Sequence, residues 1–301
     1  MGARGQGRPV AVIGAGAVGT SVASALARAG RPVTVCGASR RIERIEVTED
    51  GSTETWPVAQ ATVPDDITGY DTAVLAVKAH QTDAAAAWLK AVSAPGTTVL
   101  VAQNGVEQRE RVAPHTDGAY VVPAVVYLNA ERTAPGRATL RRVGRWDLVL
   151  PDEAPARALA AELSAGLMRV GLEADFATVA WAKLLGNITA NPLTALTGRR
   201  VDVLRDPGIG TVARLITDEA VRVARAEGAA LSAAHAREVL AWLENAPEGA
   251  TTSMLQDRIA GRPLEYDALT GAVVRAAERH GIDVPVNRLI LALTSAIHPG
   301  Q

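Results

Sequence analysis

The chain has 301 residues, with 31 Lys+Arg against 32 Asp+Glu and a formal net charge of -1. That length accommodates two domains and a large core, and the charge balance gives no electrostatic drive toward nucleic acid or an anionic membrane. One cysteine, Cys36, excludes an internal disulfide and a cysteine metal cluster; with no signal peptide and no apolar run of membrane-spanning length, the expected setting is the reducing cytoplasm, without a bound metal.

Residues 1–8 read as a polar, glycine-rich leader. Pro9–Ile13 is a short apolar run, long enough for one buried parallel strand. It breaks on Gly14-Ala15-Gly16-Ala17-Val18-Gly19, after which an alanine-rich segment reads as helix to a stop at Gly30. In a Gly-x-Gly-x-x-Gly loop, Gly14 makes the tight turn, Gly16 admits a pyrophosphate close to the backbone, and Gly19 lets helix and strand pack closely. The phosphates would sit on the free N–H groups at the positive end of the helix. Three glycines alone are a weak signal, but a strand before them and a helix after make this a dinucleotide site.

Pro32–Cys36 reads as the second strand. An acidic residue at its end would bind the ribose 2′-hydroxyl of NAD, whereas basic residues suit a 2′-phosphate. Here Ser39-Arg40-Arg41 follow, with no acid before Glu43, which favours NADPH. The alternative is a solvated arginine pair on a surface turn. Glu46–Pro57 reads as a polar hairpin around Asp50-Gly51. Thr72–Val77 is an apolar strand leading into Lys78, a helix is expected over Asp83–Val92, and a further strand, Thr97–Ala102, runs into Asn104. Ala119–Val126 reads as the next strand. Strands alternating with helices imply a doubly wound parallel sheet of Rossmann type. Its ligands bind beyond the carboxyl ends of the strands, where Gly14, Ser39, Lys78 and Asn104 fall.

Arg137–Leu150 is expected to pair as a hairpin around Gly144, followed by a helix over Pro155–Val170 and a link at Gly171–Ala174. From Phe176 onward almost every segment reads helical: 177–196, 208–227, 233–244, 264–280 and 287–297. The expected architecture is α/β: a dinucleotide-binding domain over residues 1–173 and an all-α helical-bundle substrate domain over 174–301.

Within the helical part, Lys183, Asn187 and Asn191 are spaced i, i+4, i+8 and share one slowly drifting stripe. Trp181, Leu184, Leu185 and Ile188 surround them, so the segment reads as buried. Polar groups there need partners, because unpaired ones cost roughly 1–3 kcal/mol each. The alternative is a solvent-facing stripe with a snorkelling lysine. Pro192 is expected to kink the helix beyond the stripe. In Thr252–Asp257 and Leu264–Asp267, Ser253 and Glu265 are either helix-start residues or members of the site.

Together these stretches resemble the ketopantoate reductase (2-dehydropantoate 2-reductase) family. The resemblance rests on the glycine loop, VKAHQT at Val77–Thr82, QNGVE at Gln103–Glu107, WAKLLGNITANPLTAL at Trp181–Leu196, SMLQD at Ser253–Asp257, Glu265, and GIDVPVN at Gly281–Asn287. These occur in family order over nearly the whole chain. The resemblance implies NADPH as cofactor and reduction of a small 2-oxo acid. It also implies roles. Lys183 matches the proton-donating lysine, Asn187 and Asn191 the substrate-binding asparagines, and Ser253 the serine that holds the substrate carboxylate, helped by the donors of the adjacent helix start. Glu265 matches the acid near the nicotinamide ribose and lysine, Asn104 the asparagine that touches cofactor and substrate, and Lys78 a lysine near the cofactor. Lys183, Glu265 and Asn104 are thus the catalytic candidates, and the site is expected in a cleft between the two domains.

Two departures stand out. The family often has one arginine directly after the second strand, where this chain interposes Gly37-Ala38 before Ser39-Arg40-Arg41. It often has an asparagine before Gly-Glu-Leu after NPLTAL, where this chain reads Thr197-Gly198-Arg199-Arg200-Val201-Asp202-Val203-Leu204. The second keeps two other readings open: a reductase of another 2-oxo acid, ketone or imine, and a non-catalytic NADP-binding regulator. The partners to expect are a small-molecule substrate and, as the one assembly considered, a homodimer.

Overall fold

The computed structural model describes residues 7–297, so most of the leader at 1–8 lies outside the described residues. The chain forms two compact units, whose described parts are residues 7–103 with 108–176, and residues 104–107 with 177–297.

The first unit opens with β1 (Val10–Ile13), α1 (Ala17–Arg28) and β2 (Val33–Cys36). The polar hairpin follows as β3 (Arg44–Glu49) and β4 (Ser52–Pro57). Its turn residues Asp50 and Gly51 both have positive φ, 48° and 79°, which a two-residue turn between twisted strands requires. Next come β5 (Ala59–Ala61), β6 (Thr72–Leu75), α2 (Ala86–Val92), β7 (Thr98–Val101), α3 (Gln108–Val112) and β8 (Tyr120–Pro123). Six strands make one sheet in the order β5-β2-β1-β6-β7-β8, every pair parallel. Counted without the hairpin, this is the doubly wound Rossmann order, which reverses between β1 and β6. Alternate residues serve opposite faces. Val10, Val12, Val33 and Val35 pack with Val22 and Leu26 of α1, whereas Ala11, Ile13, Ala73 and Leu75 pack with Leu89 and Val92 of α2.

The unit closes with β9 (Val125–Val126), β10 (Asn129–Ala134), β11 (Arg137–Arg141), β12 (Leu148–Pro151), α4 (Ala154–Ala165) and β13 (Val170–Glu173). Three expectations for this stretch are corrected. Ala119–Val126 is two strands: β8 ends the large sheet at Pro123, which lacks an N–H, and β9 pairs with β12 instead. No hairpin forms around Gly144. Instead β11 joins β10, β3 and β4 in a four-stranded sheet, and β12 joins β13 and β9. A two-stranded hairpin alone is marginal, and both strands find larger sheets. Finally, α4 stops at Ala165 and the expected link is strand β13. Gly166 is the C-cap of that helix, and the left-handed residue beyond it is Leu167, at φ 63°.

The second unit holds α5 (Phe176–Thr197, all but its first residue), α6 (Pro207–Ala226), α7 (Ala233–Glu244), α8 (Ser253–Ile259), α9 (Ala272–Arg279) and α10 (Pro285–Ser295), with no strand among its described residues. The spine is α5: Trp181, Leu184, Leu185, Ile188 and Leu193 are buried with Ile216 and Val223 of α6 and Val273 of α9. It runs through Pro192 to Thr197, so the proline costs an intrahelical hydrogen bond without ending the helix. The helix expected from Leu264 starts later. A π-helical turn over Asp267–Gly271 precedes α9, with the Gly271 N–H donating to the Tyr266 carbonyl five residues back at 3.0 Å. No helix among the described residues is long and apolar enough to cross a membrane.

Candidate active site

At the reversal point of the sheet, the three motif glycines separate into distinct steric roles. Gly14 has φ 102°, and a Cβ on it would lie 2.7 Å from the Val77 nitrogen just past β6. A Cβ on Gly19 would collide with the Gly14 carbonyl oxygen. At Gly16 a Cβ would meet no protein atom within 4 Å. Two glycines therefore close the turn against the sheet, and the third leaves room above the start of α1. Gly16 is the N-cap of α1, yet no side chain caps it and no acid sits in the first turn. The backbone N–H groups around the half-buried Ala15, Ala17 and Val18 are suited to an anion. A dinucleotide pyrophosphate fits this cradle.

Beyond β2, Gln60 of β5 shapes the turn: its Oε1 accepts from the Ile42 N–H at 2.9 Å and its Nε2 donates to the Arg40 carbonyl at 3.3 Å. Ser39, Arg40 and Arg41 are exposed on that turn. Arg41 pairs with Glu43 at 2.9 Å, whereas the Arg40 guanidinium has no partner among the described residues. Lys78, half-buried, opens the loop after β6, where its N–H donates to Gln81 Oε1 at 3.2 Å. Gln103 braces this loop from the end of β7, its Nε2 donating to the Val77 carbonyl and the Thr82 hydroxyl, both at 3.0 Å. Thr82 and Gln103 are buried. These two motif residues therefore serve as scaffold.

The second unit gathers Asn104, Lys183, Asn187, Asn191, Ser253 and Glu265. On α5 burial deepens along the stripe, from half-buried Lys183 and Asn187 to buried Asn191. Asn191 Nδ2 donates to Asn187 Oδ1 at 3.4 Å, while its Oδ1 accepts from the Met254 N–H at 3.1 Å and the Ser253 hydroxyl at 3.2 Å. The helix start at Ser253 is thus less rich in donors than expected. Asn191 takes the Met254 N–H, and the hydroxyl of the N-cap Thr252 takes that of Leu255 at 3.2 Å. The Thr252 hydroxyl also meets Thr194 of α5 at 2.7 Å, so α8 is docked on α5 through buried polar groups. What remains outward is the exposed Ser253 side chain.

Glu265, buried in the irregular segment before the π turn, accepts from Asn104 Nδ2 at 3.4 Å. Lys183 is half-covered by area, but protein crowds its ammonium group, and burial pushes its pKa below the ordinary lysine value of 10.5. Two residues near this pair carried no role in the sequence reading. Glu107, in the QNGVE motif, pairs with Arg275 of α9 at 2.6 Å, and Arg275 also reaches Asp267 at 2.6 Å. The motif flagged Glu107, but no local spacing connects it to an arginine 168 residues away. Among the described residues no group of His, Cys, Asp and Glu could hold a metal ion.

Two family models cover most of the chain: ketopantoate reductase PanE/ApbA over residues 10–150 and its C-terminal model over residues 175–298. The chain belongs to the ketopantoate reductase family. A 2-dehydropantoate 2-reductase of Mycobacterium tuberculosis is 40% identical over 293 residues, covering 97% of this chain and 98% of the relative. The crystal structure of a PanE/ApbA family ketopantoate reductase from Ralstonia eutropha JMP134 matches with a TM-score of 0.86 at 32% identity, over 96% of this chain and 98% of that one. A dimeric ketopantoate reductase from Staphylococcus aureus matches with a TM-score of 0.84 at 28% identity, over 96% and 98% of the two chains. The departure from the family pattern at residues 197–204 has a structural explanation. Gly198, at φ 68°, ends α5, and Val201, Val203 and Leu204 of the following 3-10 turn are buried in the helical core.

Proposed function

We propose that this chain is an NADPH-dependent 2-dehydropantoate 2-reductase, reducing ketopantoate to (R)-pantoate. The observation that carries the reading is the polar cluster of the helical unit. Lys183, with its pKa lowered by burial, stands on the same helix as two asparagines, the second of which is bonded to Ser253. The family relatives supply the substrate class. Neither a different carbonyl substrate nor a non-catalytic regulator gains support, since Val201, Val203 and Leu204 of the 197–204 segment pack into the helical core and every candidate group is present.

The glycine cradle and the start of α1 would hold the pyrophosphate, and Arg40 with Ser39 the 2′-phosphate, with Lys78 near the cofactor. Bound there, NADPH supplies the hydride. Lys183 holds the proton that the substrate oxygen takes as charge develops on it, and its ammonium stabilises that charge beforehand. Burial suits the lysine to the task, because a lowered pKa eases proton release, which an arginine would resist. Asn187 and Asn191 orient the substrate without titrating, Ser253 binds its carboxylate, and Asn104 and Glu265 form the remaining polar wall. A reducing cytoplasmic location accords with a lone buried Cys36, and a homodimer with the Staphylococcus aureus relative.

The test is steady-state NADPH oxidation with ketopantoate beside a panel of other 2-oxo acids, ketones and imines. Ketopantoate should give the highest kcat/KM. A better substrate elsewhere in the panel would move the assignment to that compound, and tight NADPH binding without any turnover would leave a regulator.

A further inference from the structure

The Asn104–Glu265 pair joins two segments far apart in sequence, and neither is regular secondary structure. Asn104 lies in a loop after β7, and Glu265 in the irregular segment before the π turn. Something must hold both backbones in place for the two side chains to meet. Arg275 of α9 bonds to the flank of each. Its Nε lies 3.2 Å and its Nη2 2.6 Å from Glu107 Oε2, three residues after Asn104. Its Nη1 donates to Asp267 Oδ1 at 2.6 Å and its Nη2 to the Asp267 carbonyl at 2.9 Å, two residues after Glu265. All three guanidinium nitrogens are used, which only the planar fork of arginine permits. Arg279 adds a weaker contact to Glu107 at 3.5 Å. The Glu107 side chain is only 15% exposed, so breaking this pairing would be costly.

The helix is shaped to admit the guanidinium. The π turn brings Asp267 beside Arg275, and Gly271 faces both. A Cβ on Gly271 would lie 2.9 Å from Asp267 Oδ1 and 3.1 Å from Arg275 Nη1. The irregular turn and the missing side chain together make the seat of the ion pair. π-helical turns of this kind recur at functional sites.

We propose that Arg275 is a positioning residue for the active site: by tying Glu107 to Asp267 it fixes the Asn104 loop against the Glu265 segment. Arg275 bonds to Glu107 and Asp267, and it acts through the backbones that carry Asn104 and Glu265. This rests on the reductase reading of the same site.

Two measurements test it. Arg275→Lys keeps the charge and loses the fork. In a double-mutant cycle on ketopantoate kcat/KM, it should cost about 10- to 100-fold with Asn104 present, the range for a misplaced site group. It should cost several-fold less in the Asn104→Ala background, because one of the two residues it holds in register is already gone. Additive losses would overturn the proposal in favour of a general structural role. Independently of activity, Arg275→Lys and Gly271→Ala should each speed hydrogen exchange of the amides at residues 105–107 by about tenfold, as a local opening allows. Arg288→Lys, in the exposed pair with Glu278, should leave those amides unchanged. Unchanged exchange in both site variants would also overturn it. A wild-type protein that reduces no substrate would refute the reductase reading, and the exchange result alone would then decide whether Arg275 fixes the loop.

Discussion

Gly16→Ser and Gly19→Ala should affect stability in opposite directions while both weaken cofactor binding. Gly16 is the N-cap of α1 with φ -77° and ψ -168°, an extended conformation open to any residue, and its Cβ would meet no protein atom within 4 Å. Serine there can accept a hydrogen bond from a free N–H of the first turn, worth a few tenths of a kcal/mol over glycine. Restricting the unfolded chain adds about 0.4–1 kcal/mol. The gain of about 0.7–1.3 kcal/mol converts, at about 2–4 °C per kcal/mol for a unit of this size, into a Tm rise of about 1–5 °C. The same side chain stands where the pyrophosphate must approach the backbone, so the Kd for NADPH should rise at least about tenfold, or about 1.4 kcal/mol. Gly19→Ala instead drives a methyl group into the Gly14 carbonyl. Overpacking of that kind costs about 1–3 kcal/mol and should lower Tm by about 2–12 °C. Thermal melts without cofactor, beside fluorescence titrations with NADPH, separate the two cases. A Gly16→Ser protein that melts as low as Gly19→Ala, or that binds NADPH with unchanged Kd, would refute the division of roles among the glycines.

Lys183→Ala should lower kcat/KM by about 10² to 10⁴-fold with NADPH binding retained, and Lys183→Arg should not restore it, as rapid kinetics and titration can check. Because burial lowers the Lys183 pKa, the basic limb of the rate profile should fall below 10.5. Between the folded pKa and 10.5 the unfolded chain binds the extra proton, so this group's contribution to stability should rise with pH across that window. Arg40→Ala should weaken NADPH far more than NADH, whereas Arg41→Ala, at an 84% exposed side chain already paired with Glu43, should change little. Equal effects of the two substitutions on both cofactors would show the pair to be solvated surface. Ser253→Ala should raise KM for the oxo acid and leave the NADPH Kd unchanged; an unaltered KM would reduce Ser253 to a helix-start residue.

The sheet was legible because its strands are short β-branched runs closed by glycine or polar turns. The same period then split Val10 and Val12 from Ala11 and Ile13 onto opposite faces. Local pattern was misleading where pairing is non-local. Arg137–Arg141 has an adjacent apolar strand available, yet pairs in parallel with Glu46–Glu49, nearly a hundred residues earlier. The end of α4 carries a glycine, Gly166, at its C-cap, but the left-handed position that glycine usually takes falls one residue on, at Leu167. In the site, residue type and helical spacing found the Lys183–Asn187–Asn191 stripe. Spacing said nothing of what the stripe bonds to, since Met254 lies 63 residues beyond Asn191.

The donor pattern of that stripe follows from one backbone group. An N–H can only donate, so the Met254 N–H fixes which end of the Asn191 amide faces α8: it must be the oxygen. The NH₂ end then points along α5 toward Asn187, and since it too can only donate, Asn187 must offer its oxygen inward. The free NH₂ of Asn187 is thereby turned away from Asn191. The Ser253 hydroxyl meets the same Asn191 oxygen and must donate to it, but a hydroxyl rotates at little cost and can give its proton elsewhere. Asn191, 5% exposed and bonded on both ends, thus sets the orientation of Asn187 and Ser253, the two more accessible neighbours. Such a surface presents N–H and O–H donors beside an ammonium group, and its chemical complement is a ligand rich in oxygen acceptors, as a 2-oxo carboxylate is.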